Sequence, residues 1–264
     1  APAGARRSDK CTDPENPFRA IKAIGHNKSL LFFLAASILY SIASAFYIGL
    51  QFMVLDAYLG MGDYYVYLLL FHLVAATLAI KPAVNFIARV GKIKASSLAI
   101  FLSAVAFINL GLVLLNTIYN LHLLIIFNLI YAFSSALGNI AMVSLLSDIS
   151  DYGTLKTGID RSATCFSLYS LANKTCMAIG ISLSLAVAGY FGFDPAANTQ
   201  GEQVYWGLML CMSIIPTVLS IFAAVCILKI GITAKRHTTI RKRLDARATR
   251  ISLSTMRSDH AYSE

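Results

Sequence analysis

Charge is scarce in this sequence. Only 13% of the 264 residues are Asp, Glu, Lys or Arg, against about 25% in soluble domains. Hydrophobic residues make up 57%, and the mean hydropathy is +0.67. That balance argues against a soluble enzyme, a nucleic-acid-binding module and a disordered chain. Metal-ligand spacing is missing as well. The five cysteines form no CxxC or Cys/His pattern, and their odd number speaks against a disulfide framework. Cys165, Cys176, Cys211 and Cys226 lie in or beside apolar runs and read as small packing residues, while Cys11 lies in the polar head. No nucleophile–base or metal constellation is present, so no catalytic residue, cofactor or metal site is predicted.

Long uncharged stretches are abundant instead. About 20 apolar residues cross a bilayer. Six runs reach that length: 30–52, 64–86, 95–115, 123–147, 166–191 and 205–228. A closed barrel is excluded, because its strands are about half as long and alternate in polarity. Inside lipid a helix satisfies its own backbone hydrogen bonds. The predicted fold is therefore an all-α integral membrane protein, a bundle of six transmembrane helices over 30–228.

The net charge of +9 is distributed by side. The head, 1–29, carries Arg6, Arg7, Lys10, Arg19, Lys22 and Lys28. Arg89, Lys92 and Lys94 follow the second run, and Lys156 and Arg161 follow the fourth. The tail, 229–264, carries nine basic residues. The alternate connections, 53–63, 116–122 and 192–204, carry none. The positive-inside rule makes the head, the basic connections and the tail cytoplasmic. Both termini are then cytoplasmic in a plasma (inner) membrane, and the bilayer rather than nucleic acid is the partner of the positive charge. The tail cluster Lys235, Arg236, Arg241, Lys242 and Arg243 fits a topology signal or contact with anionic headgroups. The head is a polar, proline-containing linker without the regions of a signal peptide. It begins with Ala rather than Met, so the chain is expected to be the back half of a larger protein.

Polar residues inside the runs carry the functional signal. Lys174 lies eight residues into the fifth run, about 12 Å deep at 1.5 Å per residue. Burying an ammonium there costs at least about 2.5 kcal/mol, so it is expected to face a watery cavity or an acidic partner as a substrate or ion-coupling residue. The other reading is snorkelling to the inner interface or a static ion pair. Ser167 and Ser170 share its helical face, which favours a water-lined stripe. No Asp or Glu occurs in the middle of any run, so Lys174 has no evident deep counter-charge in this chain. Tyr40, Ser44, Tyr47 and Gln51 form one face of the first helix, and Asn128, Tyr131, Ser135 and Asn139 one face of the fourth. Rings that stack and hydroxyls and amides that hydrogen-bond suit a polyhydroxylated ligand. The same residues equally serve packing between helices. After the fourth run, Asp148 and Asp151 close a helix, with Lys156 and Arg161 in the connection. These charges can pair across an inner mouth in one conformation and part in another, or form weak ion pairs on a solvated loop.

One segment is diagnostic: Asp148-x-x-Asp151-Tyr152-Gly153-x-x-Lys156-Thr157-Gly158, followed by Arg161. It resembles the late cytoplasmic loop of the glycoside–pentoside–hexuronide:cation symporters, the melibiose-carrier branch of the major facilitator superfamily. Asn16-Pro17-Phe18 resembles the approach to that family's seventh helix, and Ala88-Arg89-Val90-Gly91-Lys92 the basic turn between its eighth and ninth. Lys174 falls where the family has its eleventh-helix lysine. Thr154 and Asp160 depart from it, standing where the family often has Glu and a basic residue.

The resemblance implies the second six-helix half of a twelve-helix carrier. The missing N-terminal half is then a partner and holds the acidic ligands of the coupling cation, sodium or proton, so this half supplies no metal ligands. It further implies cation-coupled symport of a sugar or glycoside by alternating access, with Lys174 facing the cation-site carboxylates and Asp148, Asp151, Lys156, Arg161 and Arg89 closing the inner mouth. Two alternatives stand beside this reading. One is a truncated, non-transporting membrane protein packed with a partner half. The other is a lysolipid or other non-sugar symporter on the same fold.

Overall fold

The computed structural model describes residues 27–58, 60–115, 121–197 and 201–230. The expected linker up to residue 26 and the basic tail from residue 231 lie outside them. Seven α-helices are described: α1 (Lys28–Met53), α2 (Tyr65–Val90), α3 (Lys92–Leu115), α4 (Leu121–Thr157), α5 (Ser162–Tyr190), α6 (Glu202–Met209) and α7 (Ile215–Leu228). No strand occurs among the described residues. Five stretches are long and apolar enough to cross a membrane: Lys28–Ala57, Gly62–Val90, Ile125–Thr157, Ser162–Tyr190 and Glu202–Leu228. The remaining long helix, α3, has 24 residues.

Local chemistry sets the ends of these helices. α1 starts directly after Asn27, whose side chain accepts hydrogen bonds from the backbone N–H groups of Ser29 (3.2 Å) and Leu30 (3.4 Å). α4 is longer than its apolar run. It continues through Asp148, Asp151 and Lys156 to Thr157, so Lys156 belongs to the helix and not to the connection expected from its polarity. It stops where Gly158 adopts φ +76°, a left-handed conformation that glycine enters without a Cβ clash. At 37 residues α4 spans about 55 Å, well beyond the hydrocarbon thickness of about 30 Å. The last run divides. A π-helical turn, Leu210–Ile214, separates α6 from α7 just ahead of Pro216, which has no N–H for the carbonyl four residues back.

The helices pack in the order α2, α4, α3, α7, α1, α5, with α4 and α5 also touching. Alanine and serine are frequent among the buried residues, and small side chains let helices approach closely where lipid supplies no hydrophobic drive between them. One apolar cluster joins Leu30 and Phe33 of α1 to Leu146 and Ile149 of α4, Cys165 of α5 and Ile227 of α7. A second gathers Phe46 and Leu50 of α1 with Ala188, Leu208 and Cys211 at the opposite end. Between them the centre of α1 is polar. The end helices are the least covered, with 11% of the α2 span and 17% of the α5 span buried, against 39–44% for the other three.

Gly180 sets the α1–α5 spacing. A Cβ there would stand 2.6 Å from Ala45 Cβ and 3.2 Å from the Ile42 carbonyl oxygen. Gly180→Val is expected to force the two helices apart at a cost of about 1–3 kcal/mol, read as a lowered melting temperature of the purified protein. Gly138→Ala is the control. Its Cβ would meet Ala99 Cβ at 3.5 Å, an ordinary contact, and the melting temperature should not fall. Equal effects at the two positions would refute this account of the contact.

Candidate functional site

A groove of about 280 Å³ lies between α1, α4 and α5. From α1 come Ser37, Tyr40, Ser41 and Ser44, from α4 Tyr131, Ser135 and Asn139, and from α5 Tyr169 and Asn173. Tyr40 and Ser41 occupy the midpoint of α1. Spacings of four and three put Ser37, Ser41 and Ser44 on one face of α1, and spacings of four put Tyr131, Ser135 and Asn139 on one face of α4. On α5, Tyr169, Asn173 and Met177 repeat the pattern.

Hydrogen bonds fix part of the wall. The Tyr40 hydroxyl pairs with Ser103 Oγ at 2.9 Å, and Ser103 pairs with Ser134 at 2.5 Å. Ser134 in turn donates to the Ala99 carbonyl at 2.6 Å, so α1, α3 and α4 are tied together behind the groove. Ser41 donates to the Asn173 side-chain oxygen, linking α1 to α5. Ser44 faces the phenols of Tyr40 and Tyr131, yet no partner lies within hydrogen-bonding geometry of its Oγ. A buried hydroxyl without a partner carries a desolvation cost that a ligand hydroxyl would remove.

The two sequence stripes divide. Tyr40, Ser44, Tyr131, Ser135 and Asn139 line the groove. Tyr47 instead stacks at 4.9 Å on Phe107 and 5.5 Å on Tyr131, and Tyr131 also meets His72 at 5.2 Å. Asn128 pairs with His72 at 3.3 Å. Tyr47 and Asn128 thus belong to an aromatic cluster beside the groove, and Gln51 is half-buried two turns beyond Ser44. Asn173, Tyr169 and Ser41 were not anticipated from the sequence. Asn173 had a signal, since it directly precedes Lys174.

Lys174 stands twelve residues from the start of α5, about 18 Å along the axis. The helix begins four residues before its apolar run, so the lysine is twelve residues into the helix and eight into the run. It is exposed, as are Ser167 and Ser170, and has no acidic partner among the described residues. It follows Asn173 by one position, about 100° around the helix, with Ser170 between them in angle.

At the end where α1 begins, Asp148 is buried and pairs with Lys92 at 2.5 Å. Lys92 also donates to the Ser144 carbonyl at 3.3 Å. The first residue of α3 is thereby clamped to α4, a contact across 56 positions that the sequence did not announce. Asp151 and Arg161 are half-buried, and Lys156 and Arg89 are exposed.

Membrane-length helices surround this polar groove. A comparison with curated proteins finds no match. A family model described as MFS/sugar transport protein matches residues 4–234. The chain is a multi-pass membrane protein that belongs to this major facilitator transporter family.

Proposed function

We propose that the chain is the second six-helix half of a cation-coupled carrier of a sugar or glycoside, of the glycoside–pentoside–hexuronide:cation symporter type. One observation carries the reading: hydroxyls and amides from three helices converge around the middle of α1, beside an exposed lysine without an acidic partner in the described residues. Sugars present alternating C–H faces and hydroxyls, which rings such as Tyr131 and Tyr169 and groups such as Asn139 and Asn173 complement.

In this reading the open faces of α2 and α5 pack toward the front half. The two halves then rock about the groove to expose it to either side in turn. Lys174 faces carboxylates of the front half, and the coupling cation, sodium or proton, travels with the sugar as cargo. The basic end of the bundle is cytoplasmic, with Lys92–Asp148 holding α3 against α4 there while Asp151, Lys156, Arg161 and Arg89 border the inner mouth.

The test is uptake of radiolabelled glycosides, pentosides and hexuronides into vesicles holding the complete carrier, under an imposed sodium or proton gradient. Accumulation of at least one class under one gradient is expected. Asn173→Ala should weaken its binding about tenfold, the effect of one lost buried hydrogen bond to cargo. No accumulation of any class under either gradient would overturn the assignment.

A further inference from the structure

A second cavity lies at the end of the bundle where α1 begins, away from the groove. Its volume is about 340 Å³, larger than the groove's, and it is bounded by the start of α1, the last turns of α4 and the start of α5. Three cations line it: Lys28 from α1, Lys156 from α4 and Arg161 from the α4–α5 connection. Ser150, Thr154 and Thr157 add hydroxyls, and no carboxylate is among the lining residues. Lys28 and Lys156 have no carboxylate partner among the described residues.

The charge comes from these side chains and not from the helix ends. Asn27 already caps the start of α1. Asp160 accepts from the Ser162 backbone N–H at 2.9 Å and hydroxyl at 2.5 Å ahead of α5. Those bonds also hold the Asp160 carboxyl below the usual carboxylate range, so it is engaged by its own turn. Part of the wall is apolar, from Leu30, Ile149 and Ile159.

We infer that this cavity binds a phosphate ester. A phosphate ester carries several strong acceptor oxygens and one negative charge as a diester or up to about two as a monoester, and those oxygens can meet several cations and hydroxyls at once, as a single carboxylate cannot. The space beyond one phosphate, against the apolar wall, takes the organic part of the ester. The same chemistry is offered by an inner-leaflet phospholipid headgroup and by a soluble phosphate ester. The site stands independently of the cargo groove, so it is tested by binding and not by uptake.

The experiment follows hydrogen–deuterium exchange across residues 150–161 of the purified, delipidated full chain. Vesicles of phosphatidylglycerol, vesicles of phosphatidylcholine and soluble glycerol 3-phosphate are titrated separately. Saturable protection is expected with at least one of the phosphate probes. Protection by phosphatidylglycerol vesicles alone identifies a lipid source, and protection by glycerol 3-phosphate a soluble one. The combined change Lys28→Gln, Lys156→Gln and Arg161→Gln should weaken protection at least about tenfold. Should that variant misfold, the single change Lys156→Gln at an exposed position is read instead, with a loss of about threefold or more expected. Absence of saturable protection in the unaltered chain, or undiminished protection in a folded variant, overturns the site.

Discussion

On the proposed reading, Lys174→Ala in the complete carrier is expected to abolish ion-driven accumulation of cargo, at least about a hundredfold, while leaving expression and folding intact. The two effects separate because the side chain is exposed and makes no ion pair among the described residues. Its removal therefore opens no cavity here, and the melting temperature should hold within the range of an ordinary surface change, about 0.5 kcal/mol. The ammonium nevertheless stands near the middle of a 29-residue helix. A charge at that depth costs about 2.5–3.5 kcal/mol on insertion scales unless water or an opposite charge offsets it. If the offset comes from carboxylates of the front half, losing it removes a charge-assisted contact worth about 2–3 kcal/mol, together with the coupling that depends on it. Lys174→Arg, which keeps the charge but changes its geometry, should bind cargo yet accumulate it poorly. Vesicles with Lys174→Ala that accumulate cargo like the unaltered carrier would refute the role.

The second large effect is structural and asymmetric. Lys92→Ala removes the ammonium paired with the Asp148 carboxylate, whose side chain is 9% exposed. Removing one partner of a buried pair costs about 3–5 kcal/mol. Because Lys92 itself is 31% exposed, the lower end, about 3 kcal/mol, is expected. That corresponds to a fall of about 6–12 °C in melting temperature for a chain of this size. Asp148→Ala should cost less, since the long Lys92 side chain can turn its ammonium to water. The double variant should fall short of the summed single losses by about 1–2 kcal/mol. Equal single effects with full additivity would show that the contact carries no coupling.

Much of the architecture was legible in advance because a bilayer imposes length. Run 166–191 and helix Ser162–Tyr190 differ by four residues at one end and one at the other. Where polarity was taken as the end of a helix, the reading failed. The stretch from Asp148 to Thr157 looks like a loop by composition, but its backbone bonds close as well in water as in lipid, and the helix runs on to Gly158. The polar stripes were visible as periodicities, though not their division. Tyr47 lies three positions beyond Ser44, and that modest change of angle turns it from the groove toward Phe107.

Composition and run length were sufficient to establish an all-helical membrane chain, since each records a cost charged by the bilayer to single residues. Which residues meet was settled by packing alone. Tyr169 and Asn173 joining Tyr40 and Tyr131, Lys92 reaching Asp148, and three cations closing on one cavity all depend on how each helix is turned about its axis. Lipid is as apolar as leucine, so a hydrophobic pattern cannot choose that rotation. Close contacts such as Gly180 against Ala45, between residues far apart in sequence, choose it instead.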